Sequence, residues 1–199
     1  MKCRFTATYC NGLERKVFRC ENDAIEDGYC IFHHPDCRED SNKIIDNFKR
    51  YKFKKIIKEK LNKNEDLIFV GHNLPNFNFA DILKDALITE NTKNEENAEN
   101  LEVNVKVFFD HCKFQNANFS NVVFKKEVSF RDAEFREGIF VDTKFEKDVH
   151  FNYAKFDYAC FIVAEFNRGA DFHRAKLDKA DFSASSFKKL PTFGEHYSK

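Results

Sequence analysis

The sequence predicts an all-β fold in which the chain winds into stacked coils, each with four short sides. Two observations support this: the 199 residues include 25 Phe and no Trp, and from Phe109 onward the Phe residues recur at a fixed spacing. Three steps of five residues are followed by one step of six, so the pattern repeats every 21 residues. A spacing of five fits neither an α-helix nor a β-strand, whereas a fixed long period indicates stacked units.

Two sets of positions should point into the interior of these coils. The first set has 17 positions, of which 16 are Phe and one is Leu177. The second set lies two residues earlier in each unit and holds small or β-branched residues, except for Pro191 at its end. Because neighbouring strands lie about 4.8 Å apart, each Phe should stack on the Phe that precedes it by one coil. One such ladder comprises Phe109, Phe130, Phe151, Phe172 and Phe193.

Several five-residue units carry a recognisable motif, A-(D/N)-(L/F)-x-x. Residues 117–121, 170–174 and 180–184 match it closely. This pattern resembles the pentapeptide-repeat family, and the resemblance extends over residues 107–193. It implies a right-handed parallel quadrilateral β-helix, with about 21 residues per coil and without a pocket in its interior. The sixth residue in one step of each coil departs from the strict repeat and should bulge one corner; we assign residues 107–199 to this β-helix.

Residues 1–40 are predicted to form a small Cys/His-rich module that binds a structural zinc ion. Five of the seven Cys lie between positions 3 and 37, and such clustering indicates either disulfides or a metal site. A hairpin turn at Asn11-Gly12 would place Cys3 opposite Cys20, and the sequence Cys30-x-x-His33 would supply the other two ligands. Four ligands leave no open position, so a catalytic zinc is not expected. The substitute ligands are Cys10, Cys37 and His34, and free thiols or disulfides are the alternative reading.

The same region resembles some short pentapeptide-repeat proteins, whose Cys-rich head ends in a Tyr-Cys-Ile-Phe-His run. Here that run occupies residues 29–33. The resemblance implies a zinc-finger-like head in front of the β-helix, and it agrees with the ligand set Cys3, Cys20, Cys30 and His33.

Residues 41–62 predict one basic amphipathic α-helix, capped by Ser41. Eight Lys or Arg against two acidic residues give it a net charge of +6, which suits either a nucleic-acid contact or a solvated helix face. Residues 63–106 should form a degenerate first coil, marked by Phe69, Leu74 and Phe79, with an acidic insertion at 90–102 that we expect to be solvated or disordered. The predicted apolar stripe of the helix comprises Ile44, Ile45, Phe48, Tyr51 and Ile56.

Charge argues against one function that the family resemblance brings to mind. Pentapeptide-repeat proteins that protect gyrase resemble DNA because their surfaces are strongly acidic. Here the whole chain has 33 basic and 33 acidic residues, and residues 101–199 have 16 and 15, a net of +1. Opposite charges should alternate from coil to coil, as in Lys113–Glu134–Lys155 and Lys144–Glu165, and pair across strands. A DNA-mimicking topoisomerase-binding protein is therefore the least favoured of our hypotheses.

One outer face should expose apolar side chains on two successive coils. Such patches tend to mark partner sites, although the chain's own helix or insertion is an alternative cover. We expect a cytoplasmic, non-enzymatic scaffold that binds an unknown protein partner and contacts neither a membrane nor a small-molecule substrate. A nucleic-acid-associated factor is the alternative, and the last coil also allows a homodimer. The predicted partner patch comprises Ile139, Val141, Cys160, Ile162 and Val163.

Overall fold

The structure is a computed structural model that describes residues 1–11, 14–22, 30, 32–33, 43–87 and 101–194. At 43–50, 75 and 87 it describes the backbone alone. The chain begins with an antiparallel hairpin of β1 (Thr6–Asn11) and β2 (Glu14–Arg19), followed by the helix α1 (Lys43–Asn62). All later strands pair in parallel.

The parallel strands form stacked coils, and one further helix, α2, interrupts the first of them. In chain order these elements are β3 (Leu67–Ile68), β4 (Asn73–Asn78), α2 (Phe79–Leu87), β5 (Leu101–Val103), β6 (Val107–Phe108), β7 (Lys113–Asn118), β8 (Val122–Phe124), β9 (Val128–Ser129), β10 (Glu134–Ile139), β11 (Lys144–Phe145), β12 (Val149–His150), β13 (Lys155–Cys160), β14 (Glu165–Phe166), β15 (Ala170–Asp171), β16 (Lys176–Leu177), β17 (Ala180–Asp181) and β18 (Ser186–Phe187).

Three parallel sheets cover the four sides of the β-helix. Their strand orders are β4-β7-β10-β13-β16, β5-β8-β11-β14-β18 and β3-β6-β9-β12-β15. The strands of the first sheet bend across two sides, since β13 pairs with β16 through its first half and with β17 through its second half. From β6 onward each residue pairs with the residue 21 positions later, as Phe135 does with Phe156. The predicted coil period is confirmed.

The interior of the coils is filled by ladders of Phe rings. Along one ladder, the ring centroids of Phe109, Phe130, Phe151 and Phe172 follow one another at 5.3, 5.1 and 4.9 Å, with interplanar angles of 3–12°. Rings of neighbouring ladders meet edge to face, as Phe140 does with Phe151 at 5.7 Å and 85°. Stacked and edge-to-face pairs are the arrangements that aromatic rings prefer. The ladder prediction is confirmed.

The first coil differs from the sequence-based expectation in two ways. The chain contains a second helix, α2, where a degenerate coil side at Phe79 and only one helix were predicted. In addition, 101–102 belong to β5, which pairs with β8, although we had assigned them to a solvated insertion. Leu101 and Val103 are buried in the coil interior, which explains why this part is ordered. The rest of the acidic insertion, 90–100, lies outside the described residues.

The buried face of α1 agrees with the predicted stripe at Ile56, which packs partly buried against the core, but not at Tyr51. Phe53 and Ile57 are fully buried, whereas Tyr51 is 65% exposed. The ring of Phe53 contacts Phe69 and Phe77 at 5.0 and 5.5 Å, so this face of α1 packs on the first coil. The predicted contributions of Ile44, Ile45 and Phe48 lie outside the described side chains.

The predicted charge ladders are present on the outer surface. The Lys113 and Lys155 ammonium groups lie 3.3 and 2.9 Å from the Glu134 carboxylate, and Lys144 lies 3.1 Å from Glu165. The hydrogen bond from Lys155, followed by that from Lys113, lowers the pKa of Glu134. These pairs join successive coils. Neither α1 nor α2, the helices of the described part, has the length and apolar character that a membrane span requires.

Candidate metal centre in the N-terminal head

The hairpin β1–β2 brings two of the predicted ligands together, in a register that differs from the prediction. Cys10 pairs with Arg15 and Asn11 with Glu14, so the pairing is shifted by two residues from the one expected for an Asn11-Gly12 turn. The Cys3 amide donates to the Asn22 carbonyl at 2.9 Å, which places Cys3 opposite Asn22 instead of Cys20. Because side chains alternate with a period of two, this shift leaves both Cys on the same face.

The four predicted ligands form one cluster. The Sγ atoms of Cys3, Cys20 and Cys30 and a ring nitrogen of His33 all lie within 4.8 Å of one another. Cys30 Sγ is 3.6 Å from Cys20 Sγ and 3.2 Å from His33 Nδ1, and Cys3 Sγ is 3.7 Å from the same nitrogen. Zinc bonds of about 2.3 Å to sulfur and about 2.0–2.1 Å to nitrogen set tetrahedral ligand atoms about 3.5–3.8 Å apart. The cluster therefore has the dimensions of a four-ligand metal site.

Each of the four side chains is buried, and the cysteines described by the structure are all free thiols. Cys10 is half-buried and does not belong to the cluster. The other two substitutes, Cys37 and His34, lie outside the described residues. A buried group of three thiols and one imidazole without disulfides can hold a metal ion.

Hydrogen bonds prepare the sulfur atoms for the charge that a metal ligand must carry. The Cys30 amide lies 3.3 Å from Cys3 Sγ, and Asn22 Nδ2 lies 3.4 Å from Cys20 Sγ, both as donors. The hydrogen bond between the Cys20 and Cys30 sulfur atoms lowers the pKa of Cys20 and raises that of Cys30. Since the thiolate is the form that binds metals, this group attracts a cation.

The orientation of His33 is set from outside the head. Its Nε2 lies 3.2 Å from the Val70 carbonyl oxygen, which can only accept a hydrogen bond, so Nε2 carries the proton and Nδ1 presents its lone pair to the thiols. His72 Nδ1 donates to the same carbonyl at 3.2 Å. Burial lowers the pKa of His72 to about 3. His72 is therefore neutral and acts as a second hydrogen-bond donor to Val70.

The comparison with known families identifies the repeat region. Residues 109–155 match a family model described as pentapeptide repeats (9 copies). The repeat region is a pentapeptide-repeat β-helix. Neither a curated protein nor a solved structure matches the chain. The matched residues cover part of the Phe ladders but not the head, so the Cys/His cluster lies outside the part that the family model describes.

The other predicted site, on the outer face of the β-helix, is only partly exposed. Val163 is 44% exposed, whereas Cys160 is buried at 5%. Ile139, Val141 and Ile162 are half-buried. The small side chain of Cys160 aligns between Ile139 and Asp181 on the neighbouring coils, and these larger neighbours account for its burial. The exposed apolar group therefore consists of the other four residues.

The sequence pattern did not predict two features of this protein. The first is the turn 70–72, whose Val70 carbonyl contacts His33 and whose Gly71 contacts Phe5; the signal was Gly71, one of only six Gly in the chain. The second is backbone strain at Val163, which has φ of 58°, a left-handed conformation that a β-branched residue rarely adopts. No signal in the apolar pattern distinguished Val163 from its neighbours.

Proposed function

We propose that this protein is a non-enzymatic scaffold that binds another protein and is stabilised by a structural zinc ion in its head. The observation that carries the zinc assignment is the buried donor set of Cys3, Cys20, Cys30 and His33. Three thiolates and one imidazole in tetrahedral spacing are typical of structural zinc sites, and soft thiolate ligands disfavour Mg²⁺ and Ca²⁺. Such a site contributes folding free energy, because the ligands meet only in the folded head.

The scaffold assignment rests on the outer surface of the coils, because Phe rings fill their interior. Val141 and Ile162 occupy the same position on successive coils, and Ser120 and Ser183 occupy it on the coils before and after. An apolar group bounded by polar residues is formed by four of the outer residues, namely Ile139, Val141, Ile162 and Val163. Groups of this kind tend to mark partner sites. Members of this family are generally structural or mediate protein interactions.

The charge of α1 favours the scaffold over the nucleic-acid alternative. Within the described side chains, Lys54 lies 3.8 Å from Asp85 and Lys60 lies 2.6 Å from Glu65, so carboxylates already neutralise part of the basic face. Neutralised lysines release fewer counterions on binding a phosphate backbone and contribute less affinity.

Metal analysis of the purified protein tests the zinc assignment. Protein purified without added zinc should contain about one equivalent, and Cys30→Ser should lose it. Cys10→Ser is the matched control, because Cys10 lies in the same hairpin but outside the cluster, and it should retain the metal. Absence of metal from the unmodified protein, or its retention by Cys30→Ser, would contradict the assignment.

A matched pair of surface variants tests the partner site. Ile162→Asp places a charge within the apolar group, and Ser183→Asp places the same charge at the equivalent position one coil later. A protein captured from the native host by the unmodified chain should be lost with Ile162→Asp and retained with Ser183→Asp. Equal capture by both variants would exclude this face as the binding surface.

A further inference from the structure

We propose that the first coil of the β-helix completes the metal centre: the turn 70–72, together with Phe5, positions the His33 ring for metal binding. This inference rests on the proposed zinc site. It makes Phe5 and Gly71 positioning residues for the metal, and it makes the head and the first coil one cooperative unit.

The Val70 carbonyl is the first part of the argument. His33 has two ring nitrogens, of which Nδ1 faces Cys3 and Cys30 and Nε2 donates to Val70 at 3.2 Å. A metal-ligating His almost always donates its other ring N–H to such an acceptor, which fixes its tautomer and its orientation. Here the acceptor lies 37 residues away in sequence, on the turn that follows β3.

The ring of Phe5 is the second part. It stacks on the His33 ring with centroids 4.0 Å apart and an interplanar angle of 5°. Gly71 lies at the Cζ end of the same ring, where an added Cβ would overlap with Phe5 Cζ. Phe5 therefore contacts both Gly71 and His33, and any side chain at position 71 must displace the Phe5 ring that stacks on the imidazole.

Comparison with the later coils separates the contact of Gly71 with Phe5 from its left-handed backbone conformation, which those coils share. Gly71 has φ of 71°, and the equivalent corners of the following coils have φ of 54–59°. Those corners are occupied by non-glycine residues, so a left-handed corner of the β-helix does not by itself require Gly. Position 71 differs in facing Phe5. The equivalent residues are His111, Asp132, Tyr153 and Arg174.

The turn is rigid because it belongs to the sheet. The amides of Phe69 and Gly71 donate to the carbonyls of Phe108 and Asp110 at 2.8 Å each. The Asn73 amide donates to the Phe32 carbonyl, also at 2.8 Å, and so joins the turn to the residue before His33. The position of the imidazole therefore depends on pairing between the first two coils. Coupling of this kind is reciprocal, so metal binding in the head also stabilises the first coil.

A double-mutant cycle between positions 5 and 71 tests the inference on the full chain. Gly71→Ala should weaken zinc binding, measured by competition with a chelator, by about 10–100-fold. Phe5→Ala should weaken it similarly, and Gly71→Ala should have little additional effect in the Phe5→Ala background, because the clash is gone. Arg174→Ala, which places Ala at the equivalent corner of the last complete coil, should bind zinc as the unmodified protein does.

The absorption spectrum of the Co²⁺-substituted protein separates a positioning role from a merely structural one. In Gly71→Ala the ligand-field bands should change in the same sense as in His33→Ala, since both perturb the nitrogen ligand, and they should be unchanged in Arg174→Ala. An unmodified protein that binds neither Zn²⁺ nor Co²⁺ would refute the proposed zinc site itself. Metal binding by the unmodified protein, with the same affinity and spectrum in Gly71→Ala and in Phe5→Ala, would refute only the inference about the turn. Should Gly71→Ala not fold, Phe5→Ala carries the same test alone.

Discussion

Replacing Phe161 by Ala removes a ring from the middle of a ladder and should lower the free energy of unfolding by about 3–5 kcal/mol. Phe161 is fully buried and stacks on Phe140 and Phe182 at centroid distances of 4.7 and 4.8 Å. Burial of its apolar surface contributes about 1.5–3 kcal/mol. Its two stacked pairs add about 0.5–1.5 kcal/mol each. The sum agrees with the loss expected for a Phe→Ala change in a packed core.

Thermal unfolding followed by circular dichroism measures this effect. For a chain of this size, each kcal/mol lowers Tm by about 2–4 °C, so Phe161→Ala should unfold about 6–20 °C earlier. Phe193→Ala is the control, because Phe193 is 56% exposed and, among the residues that the structure describes, stacks on Phe172 alone. Its Tm should fall by a few degrees at most. An equal decrease in Tm for the two variants would show that the contribution of a ring to stability does not depend on its place in the ladder.

Two further predictions concern a strained corner and the half-buried ion pair of Glu127 with Lys106. Val163→Asn should raise Tm by a few degrees, since a left-handed backbone costs a non-glycine residue about 1–2 kcal/mol and Asn tolerates it better; an unchanged or lower Tm would argue against strain there. Hydrogen bonds from His150 and then Lys106 lower the pKa of Glu127 from 4.5 to about 2, so its stabilising contribution is complete above about pH 4.5 and is lost as the pH falls toward 2. Across that interval Tm should therefore fall less in Glu127→Gln than in the unmodified protein, whereas parallel Tm–pH curves would exclude this role.

The β-helix could be predicted from the sequence because its information is local and repeated. Each coil restates the same inward Phe and the same small residue two positions earlier, so register errors would misalign every ladder at once. That is why the pairing of Phe135 with Phe156, and the alternation of Lys113, Glu134 and Lys155 outside it, followed from spacing alone. The matched family residues, 109–155, lie within this periodic part.

The metal cluster could be predicted although its hairpin register could not. The turn signal at Asn11-Gly12 indicated a pairing two residues away from the observed one, in which Cys10 faces Arg15. Strand faces repeat every two residues, so Cys3 and Cys20 stayed on one face, and Cys30 and His33 could still reach them. The predicted direct opposition of Cys3 and Cys20 was wrong, but a shift of two residues keeps both side chains on one face, and the four side chains still form one cluster.

The sequence by itself determined the period, the inward positions and the four clustered donors, because each follows from spacing along the chain. The tertiary structure alone decided which face of α1 is buried, that α2 interrupts the first coil, and that Val70 and Gly71 meet Phe5 and His33. Because α1 has apolar residues on several faces, its sequence does not determine which face packs on the first coil. In the structure it is the face whose Phe53 contacts Phe69 and Phe77. Contacts between segments that are not repeated leave no periodic pattern in the sequence. They form only where the folded head packs on the first coil.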